Sequence, residues 1–195
     1  MKFRSTLLSL IAVIMFIGLA FGSTNSVSML AEQAVSGNET ESAEATRKLR
    51  EMGPDGLNGL FSTYAADIKT HRETGHETEN WKKIAAALDT VAMQKDSYAA
   101  QLYWYTDLDE AKRVAHAADK PILTLRLLGN LNEEFSCANS RLFRSILYSN
   151  SEISKYLREN YILHWKSVRP APRVTIDFGD GRKIERTLTG NSSTI

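Results

Sequence analysis

The sequence predicts an α/β layered domain preceded by a small α-helical region. Two observations support this prediction. In the second half of the chain, short runs of large apolar residues alternate with stretches of helical periodicity, which is typical of strands and helices packed in layers. In the first half, apolar residues recur at helical spacing without strand-like runs. We therefore assign residues 45–97 to the helical region and residues 98–195 to the α/β domain.

The first 22 residues have the composition of a secretory signal peptide. Lys2 and Arg4 precede an apolar run from Leu7 to Phe21, which is shorter than the about 20 residues that a spanning helix needs. The small residues Ala20 and Gly22 provide cleavage sites of the usual kind. The sequence therefore predicts export to a periplasmic or extracellular location, with an uncleaved amino-terminal anchor as the alternative.

Cleavage of this signal leaves a chain that is almost neutral. Of the 24 basic residues, Lys2 and Arg4 lie in the signal, so 22 remain against 23 acidic residues. Cations and anions are interspersed, so there is no electrostatic basis for binding nucleic acid or an anionic membrane. We predict no nucleic-acid partner, and no membrane contact after signal cleavage.

Residues 23–44, between the signal and the helical region, are predicted to form a flexible linker. They are mainly Ser, Thr, Asn, Glu and Gly, with few large apolar side chains. Burial of so little apolar surface does not offset the conformational entropy that ordering costs.

The helical region contains two predicted segments. In Ala45–Ile68, apolar residues follow helical spacing on both sides of Gly53-Pro54, which predicts two short helices with a break between them. Another helix is predicted at Trp81–Gln94. The polar residues between these segments include His71 and His76, and we interpret that stretch as a solvated loop or helix face that holds no metal.

The α/β domain is predicted to begin with an aromatic strand at Leu102–Tyr105, followed by a helix at Leu108–Ala118 with Thr106 as its N-cap. Ile122–Leu128 is almost entirely apolar, which predicts a central strand covered on both faces. The remaining predicted elements are a loop at 129–134, a helix at 140–148, a helix at 152–159 capped by Ser151, a strand at 161–165, and a β-hairpin of 174–178 and 183–187.

The carboxyl end of the sequence is short for a layered domain. Only a polar tail and one isoleucine follow Leu188. A further helix would be needed to cover the second face of the sheet. We therefore expect that the sequence ends inside its domain.

Cys137 is the only cysteine in the chain, so no internal disulfide can form. It stands where a loop is predicted to enter a helix, and the unpaired N–H groups at a helix start favour thiolate over thiol. Thiolate is the nucleophilic form of cysteine. Ser140 can donate a hydrogen bond to the sulfur, and Arg141 and Arg144 on the same helix are expected to add positive charge near it.

The order of these elements resembles the thioredoxin-like superfamily, in particular exported bacterial members in which Cys-x-x-Ser replaces Cys-x-x-Cys. The resemblance covers residues 102–195. It rests on an aromatic strand with Trp104, a helix, a Lys-Pro pair at 120–121 before an apolar strand, and Cys137 at a helix start. It implies a thioredoxin-like three-layer domain, incomplete at its carboxyl end, with Cys137 and Ser140 at the catalytic positions.

Several features of efficient thioredoxins are missing from this chain. Ser140 replaces the resolving cysteine, and Leu125 stands where the family keeps a buried aspartate. The cis-proline that faces the sulfur in that family would fall near Ser193 and Thr194, where no proline occurs. A one-cysteine peroxidase needs Ser or Thr three residues before the cysteine, where this chain has Glu134. As an enzyme, the chain is therefore at most a monothiol thiol–disulfide oxidoreductase.

Two interpretations of Cys137 remain open. It is either a buried residue that packs as a small apolar side chain, or a nucleophile that forms mixed disulfides with a protein or small thiol. The missing groups favour a binding or scaffold module with a degenerate redox site, with monothiol exchange through Cys137 as the alternative. A nucleophilic pair with His116 or His164 is disfavoured, because a histidine in such a strand is more often a core residue. No cofactor is indicated.

Arg126 is a cation within an otherwise apolar strand. If it is buried, it needs a carboxylate or carbonyl partner, and it would then hold the long loop over the cysteine. The alternative is a side chain that extends into solvent from the edge or end of the strand.

Overall fold

The computed structural model describes residues 26–134, 136–170 and 173–187. The predicted signal peptide, and the tail after Leu188 with its expected missing elements, lie outside these residues. Within them the protein is a mixed α/β protein, as the sequence predicts: a helical region comes first, and a small parallel sheet with flanking helices follows. No helix in the described ranges is long and apolar enough to cross a lipid bilayer.

The helical region is divided by local sequence signals. Asn38 accepts hydrogen bonds from N–H groups in the first turn of the helix that follows it. Pro54 opens the next helix, where its missing N–H is not needed, and Gly75 ends a further helix in left-handed backbone. The helices are α1 (26–34), α2 (Glu39–Glu51), α3 (Pro54–Thr63), α4 (Ala65–Thr74) and α5 (Glu79–Ala92).

The prediction of a flexible linker at 23–44 is wrong for the described part of that stretch. It contains α1 and the start of α2, and Ala31 and Ala34 are buried in the core. α1 approaches α3 so closely that a Cβ added to Gly59 would lie 2.2 Å from Val27 Cγ1. Small residues permit this close packing and are often fully buried themselves, so a segment with few large apolar side chains is ordered here.

Residues 93–103 connect the helical region to the sheet, and we call them the connecting segment. Met93, Asp96 and Gln101 have positive φ, and the only regular structure within the segment is a 3-10 turn at Ser97–Ala99. Irregular backbone of this kind leaves carbonyl groups without a ladder partner. Arginine side chains donate hydrogen bonds to carbonyls in this segment and beside it. Within the segment, Arg72 bonds to the carbonyl of Tyr98 and Arg158 to that of Ala100. On either side of it, Arg50 bonds to the carbonyls of Val91 and Trp104.

The sheet is parallel and has the strand order β1-β3-β2. A separate antiparallel hairpin follows it, and this hairpin is predicted from the sequence. The strands are β1 (Trp104–Tyr105), β2 (Ile122–Leu128), β3 (Ile162–Arg169), β4 (Arg173–Asp177) and β5 (Lys183–Thr187). The helices of this part are α6 (Leu108–Ala118), α7 (Ala138–Leu142), which continues as a π-helical turn at Phe143–Leu147, and α8 (Ser151–Asn160).

Side chains of the sheet contribute to two cores, because successive residues of a strand point to opposite faces. Tyr103 and Tyr105 pack with the helical region and α6, whereas Leu102 and Trp104 pack in a second core that contains Leu157 of α8. The helical region and the α/β domain therefore share the first core across the boundary that the sequence suggests at residue 98.

The prediction that Ile122–Leu128 is the central strand is wrong within the described sheet. β3 lies between β1 and β2, and the side chains of Thr124 and Arg126 are exposed on β2. A continuous apolar run does not distinguish a strand covered on both faces from one covered mainly on one. Helical spacing would also place Leu108 of α6 and Tyr156 of α8 on buried faces, but they are 42% and 57% exposed.

Two helix caps differ from the predicted ones by one residue. Asp107, and not Thr106, accepts a hydrogen bond from the N–H of Glu110 at the start of α6. Asn150, and not Ser151, caps α8. In both places an Asp or Asn adjoins a Ser or Thr, and all four residue types are good N-caps, so the sequence does not decide between them.

The crossing of α2 and α3 depends on Gly56. A Cβ added there would lie 1.9 Å from the carbonyl oxygen of Leu49. We predict that Gly56→Ala lowers the free energy of unfolding by about 3 kcal/mol, the upper end of the overpacking range, because backbone atoms would have to separate. Gly37→Ala is the control, since the nearest atom to its added Cβ is Lys83 Nζ at 3.9 Å. Urea denaturation measures both variants, and equal stabilities would contradict this packing.

Candidate functional site

Cys137 lies at the N-cap of α7, beyond the carboxyl end of β2. Gly129, with a φ of 72°, turns the chain out of β2, and its N–H bonds to the carbonyl of Arg169 in β3 at 2.9 Å. The loop then returns, and the Cys137 N–H donates to the carbonyl of Leu128 at 3.2 Å. These bonds hold the cysteine at the carboxyl ends of two parallel strands.

The sulfur of Cys137 is hydrogen-bonded to Ser140. The Ser140 Oγ lies 2.9 Å from Sγ, and the Ser140 N–H donates to Sγ at 3.4 Å. Burial raises the pKa of the Cys137 thiol, but the hydrogen bonds of Ser140, together with those at the backbone of Leu128 and Asn139, outweigh burial, so the pKa lies below its ordinary value. Cys137 is half-buried. It also packs against the second core, so partial exposure and the packing of a small apolar side chain are both present, and both interpretations of the sequence stay open.

Arg144 anchors the loop that precedes the cysteine. Its side chain is 3% exposed; Nη1 donates to the carbonyl of Glu133 at 2.7 Å, and Nη2 donates to that of Glu134 at 3.2 Å. Carboxylate oxygens of Asp96 and Glu134 lie 3.4 Å from Nε and 3.7 Å from Nη2. The expectation that Arg144 supports the thiolate with its charge is therefore corrected, because its guanidinium is bonded to these oxygens and positions the loop.

A chain of polar contacts links Arg144 to the helical region. Asp96, its partner in the connecting segment, also lies 3.5 Å from Lys95 Nζ, which bonds to Asp89 of α5 at 3.0 Å. Asp89 is buried and accepts hydrogen bonds from the N–H and hydroxyl of Ser97. Burial raises the pKa of the Asp89 carboxyl above its usual value in spite of these bonds. The position of the cysteine loop thus depends on the helical region.

The other two predicted support residues differ in their surroundings, and the expected contribution of Arg141 to the charge near the sulfur stays a prediction. Arg141 is half-buried, and its Nε is buried without a described hydrogen-bond partner. Arg126 is exposed and lies beside Lys166 in the register of β2 and β3. No hydrogen bond or ion pair joins Arg126 to another described residue, so the alternative of a side chain in solvent is correct.

Neither His164 nor His116 is bonded to the Cys137 sulfur in the described structure. His164 is buried in β3, with Nδ1 3.4 Å from the Thr124 hydroxyl. Burial lowers the pKa of His164, which favours the neutral imidazole. His116 is exposed on α6. His164 is a core residue, as the sequence analysis favours.

The polar stretch with two histidines is partly helical, since α4 extends to Thr74. The ring of His71 stacks on Trp81 with centroids 4.0 Å apart, and its Nδ1 lies 3.1 Å from the carbonyl oxygen of His76. Across the described ranges, no group of three or more His, Cys, Asp or Glu side chains is arranged to hold a metal ion. The expected cis-proline position, near Ser193, lies outside those ranges.

The inward face of α7 and its π-helical turn was only partly recognised from the sequence. Ser140, Arg144 and Tyr148 are spaced four residues apart, and all three are buried. That spacing is the signal that could have identified Arg144 as a core cation. The outward side, which we call the α7 apolar face, consists of the exposed residues Leu142, Phe143, Ile146 and Leu147.

No protein-family model matches this chain, and no curated protein or solved structure is significantly similar to it. Its chemistry therefore has to be derived from the site itself.

Removal of Arg144 is predicted to destabilise the whole protein. Arg144→Met removes the donor of two partly buried carbonyls and the cation beside two carboxylates, which costs about 2 kcal/mol of the free energy of unfolding. Arg47→Met is the matched control, because Arg47 is exposed and pairs only with Glu51 one helical turn away, which is worth about 0.5 kcal/mol. Urea denaturation of both variants tests this; similar small losses would show that Arg144 is no anchor.

Ser140 is predicted to set the thiol pKa. In Ser140→Ala the sulfur loses the hydroxyl 2.9 Å away, so the pKa of Cys137 is expected to rise toward the ordinary value of about 8.5. The rate of alkylation by iodoacetamide against pH measures the midpoint directly. Ser145→Ala, an exposed serine of the same helix, is the control. An unchanged midpoint in Ser140→Ala would show that Ser140 does not lower the pKa of Cys137.

Proposed function

We propose that this chain is an exported, monothiol thioredoxin-like protein that forms mixed disulfides through Cys137. The observation that carries the proposal is the setting of Cys137: the residue is half-buried, the Ser140 N–H donates to its sulfur, and the Ser140 hydroxyl lies 2.9 Å from it. Hydrogen bonds hold the thiol pKa below its ordinary value in spite of burial. Partial exposure and thiolate stabilisation are both required of a reactive cysteine. They are the reason for preferring thiol exchange to a scaffold with a degenerate site.

The order of elements supports the thioredoxin-like part of this proposal. β1, α6 and β2 are followed by a loop, by Cys137 at a helix start and by α8 and β3, with all three strands parallel. This is the order on which the sequence resemblance rests. The signal-like composition of residues 1–22 supports export, and disulfide chemistry suits an oxidising compartment.

The proposed reaction is a single thiol–disulfide exchange. The Cys137 thiolate attacks one sulfur of a disulfide in a partner protein or in the oxidised form of a small thiol, and the partner's S–S bond breaks as the new S–S bond forms. Cys137 is oxidised to the mixed disulfide, and the departing half of the partner is reduced to a thiolate that takes a proton from water. An external thiolate reverses the reaction by attacking the mixed disulfide.

With Ser140 in place of a resolving cysteine, the chain itself cannot break the mixed disulfide that Cys137 forms. A hydroxyl in hydrogen-bond contact with the sulfur can stabilise the thiolate, but it cannot attack a disulfide as a resolving thiol does. Because Cys137 is the only cysteine, release depends on an external thiol. The protein therefore acts as a thiol trap with long-lived complexes.

A second candidate is a binding module without thiol chemistry. The observation that favours it is the α7 apolar face, which is exposed on the same helix that Cys137 caps. Exposed apolar patches often mark interaction sites. The two candidates differ in one respect that can be measured, which is whether partner capture survives Cys137→Ser.

Glutathione disulfide tests the exchange reaction. The full chain is expected to gain one glutathione, detected by mass spectrometry, and Cys137→Ser is expected to gain none. In Ser140→Cys, a second sulfur would replace an oxygen 2.9 Å from Sγ, close to the about 2.05 Å of a disulfide bond. That variant is expected to expel glutathione and keep an internal disulfide.

The same chain unfolded in urea serves as the reagent control. If the unfolded chain forms the adduct and the folded chain does not, Cys137 is inaccessible in the native state and the proposal of thiol exchange is wrong.

A further inference from the structure

A cavity of about 270 Å³ lies between the helical region and the sheet. It is bounded by the start of α3, by Gln101 of the connecting segment and by the first residues of β3. Because β2 and β3 are parallel, this is the amino end of the sheet, whereas Cys137 follows the carboxyl end of β2. The cavity is therefore separate from the thiol site and independent of the proposed function.

Two cations line this cavity. Lys120 Nζ donates to the carbonyl of Arg158 at 3.2 Å, and Arg158 Nη1 donates to the carbonyl of Ala100 at 2.8 Å. Neither side chain pairs with a carboxylate of any described residue, and no Asp or Glu is among the described residues of the lining. These cations keep donors for a ligand, and their charge is not neutralised locally.

Tyr105 provides a third, independent indication of a ligand. Its side chain is only 4% exposed, it lines the cavity, and its hydroxyl has no hydrogen-bond partner among the described residues. Burial first, and then the charge of Glu110, raise the pKa of Tyr105. The phenol therefore keeps its proton and can donate a hydrogen bond. A phenol that lines a cavity without a protein partner for its hydroxyl can bond to a ligand there.

The remaining walls limit the size and polarity of the ligand. Most of the lining residues are apolar or aromatic, among them Pro54, Leu57, Tyr103 and Ile162. The volume is below the about 300–1,000 Å³ of sites for drug-sized molecules. A compact molecule with an apolar body and one negative charge fits these walls better than a doubly charged phosphate, which would lose more hydration on entry.

We propose that this cavity binds a small carboxylic acid with an aromatic or aliphatic body, whose carboxylate is bound by Lys120 and Arg158 while the Tyr105 hydroxyl donates a further hydrogen bond. The apolar body lies against Leu57 and Ile162. Binding bridges the helical region and the α/β domain, because the lining residues come from both.

Benzoate and benzamide are the probes, and amide-resolved NMR titration of the full chain is the measurement. Benzoate is expected to bind saturably and to shift the amide signals of residues around the cavity. Uncharged benzamide is expected to bind at least about tenfold more weakly, because it cannot form charge-assisted hydrogen bonds with the two cations. Equal binding of the two probes, or no saturable benzoate binding at millimolar concentration, would overturn the proposal.

Three variants locate the site. Lys120→Gln removes a cation and is expected to weaken benzoate binding about tenfold, while Tyr105→Phe removes one hydroxyl and is expected to weaken it several-fold. Lys112→Gln is the control, since Lys112 is an exposed lysine of α6 paired with Asp109, and it is expected to bind as the unaltered chain does. If Lys120→Gln and Tyr105→Phe both keep full affinity, benzoate binds elsewhere and the proposal is wrong.

Discussion

Irregular backbone packed between two cores must find hydrogen-bond donors, and in this protein arginine side chains provide them. The connecting segment and the residues that flank it have carbonyls bonded to Arg50, Arg72 and Arg158, which come from α2, α4 and α8. Each of these guanidinium groups therefore joins a different helix to the same stretch of chain. These bonds add to the shared core, which joins the helical region and the sheet but supplies no donors for the carbonyls.

At the thiol site, too, an arginine side chain donates hydrogen bonds to backbone carbonyls. Arg144 binds the carbonyls of the loop before Cys137, and Asp96 of the connecting segment lies beside its guanidinium. The loop is thereby tied to the part of the chain that the other arginines hold. Ser140 then acts on the sulfur from a fixed position, since its own side chain is buried on the inward face of the same helix. The site contains a single sulfur, since Cys137 is the only cysteine of the sequence.

Much of the fold can be predicted from local pattern, and what cannot depends on tertiary contacts. The break at Gly53-Pro54, the strand at Ile122–Leu128 and the hairpin have signals within a few residues, and all are confirmed. α1 has no such local signal, because it is stabilised by small alanine side chains that pack against other helices. Placing Cys137 at a helix start follows from the sequence, and the four-residue spacing of Ser140, Arg144 and Tyr148 indicates that Arg144 points inward. Its carbonyl partners do not follow from the sequence, because they belong to a loop whose path depends on tertiary contacts.

The central claim is that Arg144 holds the loop so that Ser140 and the helix start can stabilise the Cys137 thiolate. The most direct measurement is a pH titration of the Cys137 Cβ by carbon NMR in the full chain and in Arg144→Met, under conditions in which both remain folded. The account predicts a midpoint below the ordinary value of about 8.5 in the full chain and a higher midpoint in the variant. A midpoint at or above that value in the full chain, or the same midpoint in both proteins, would contradict it.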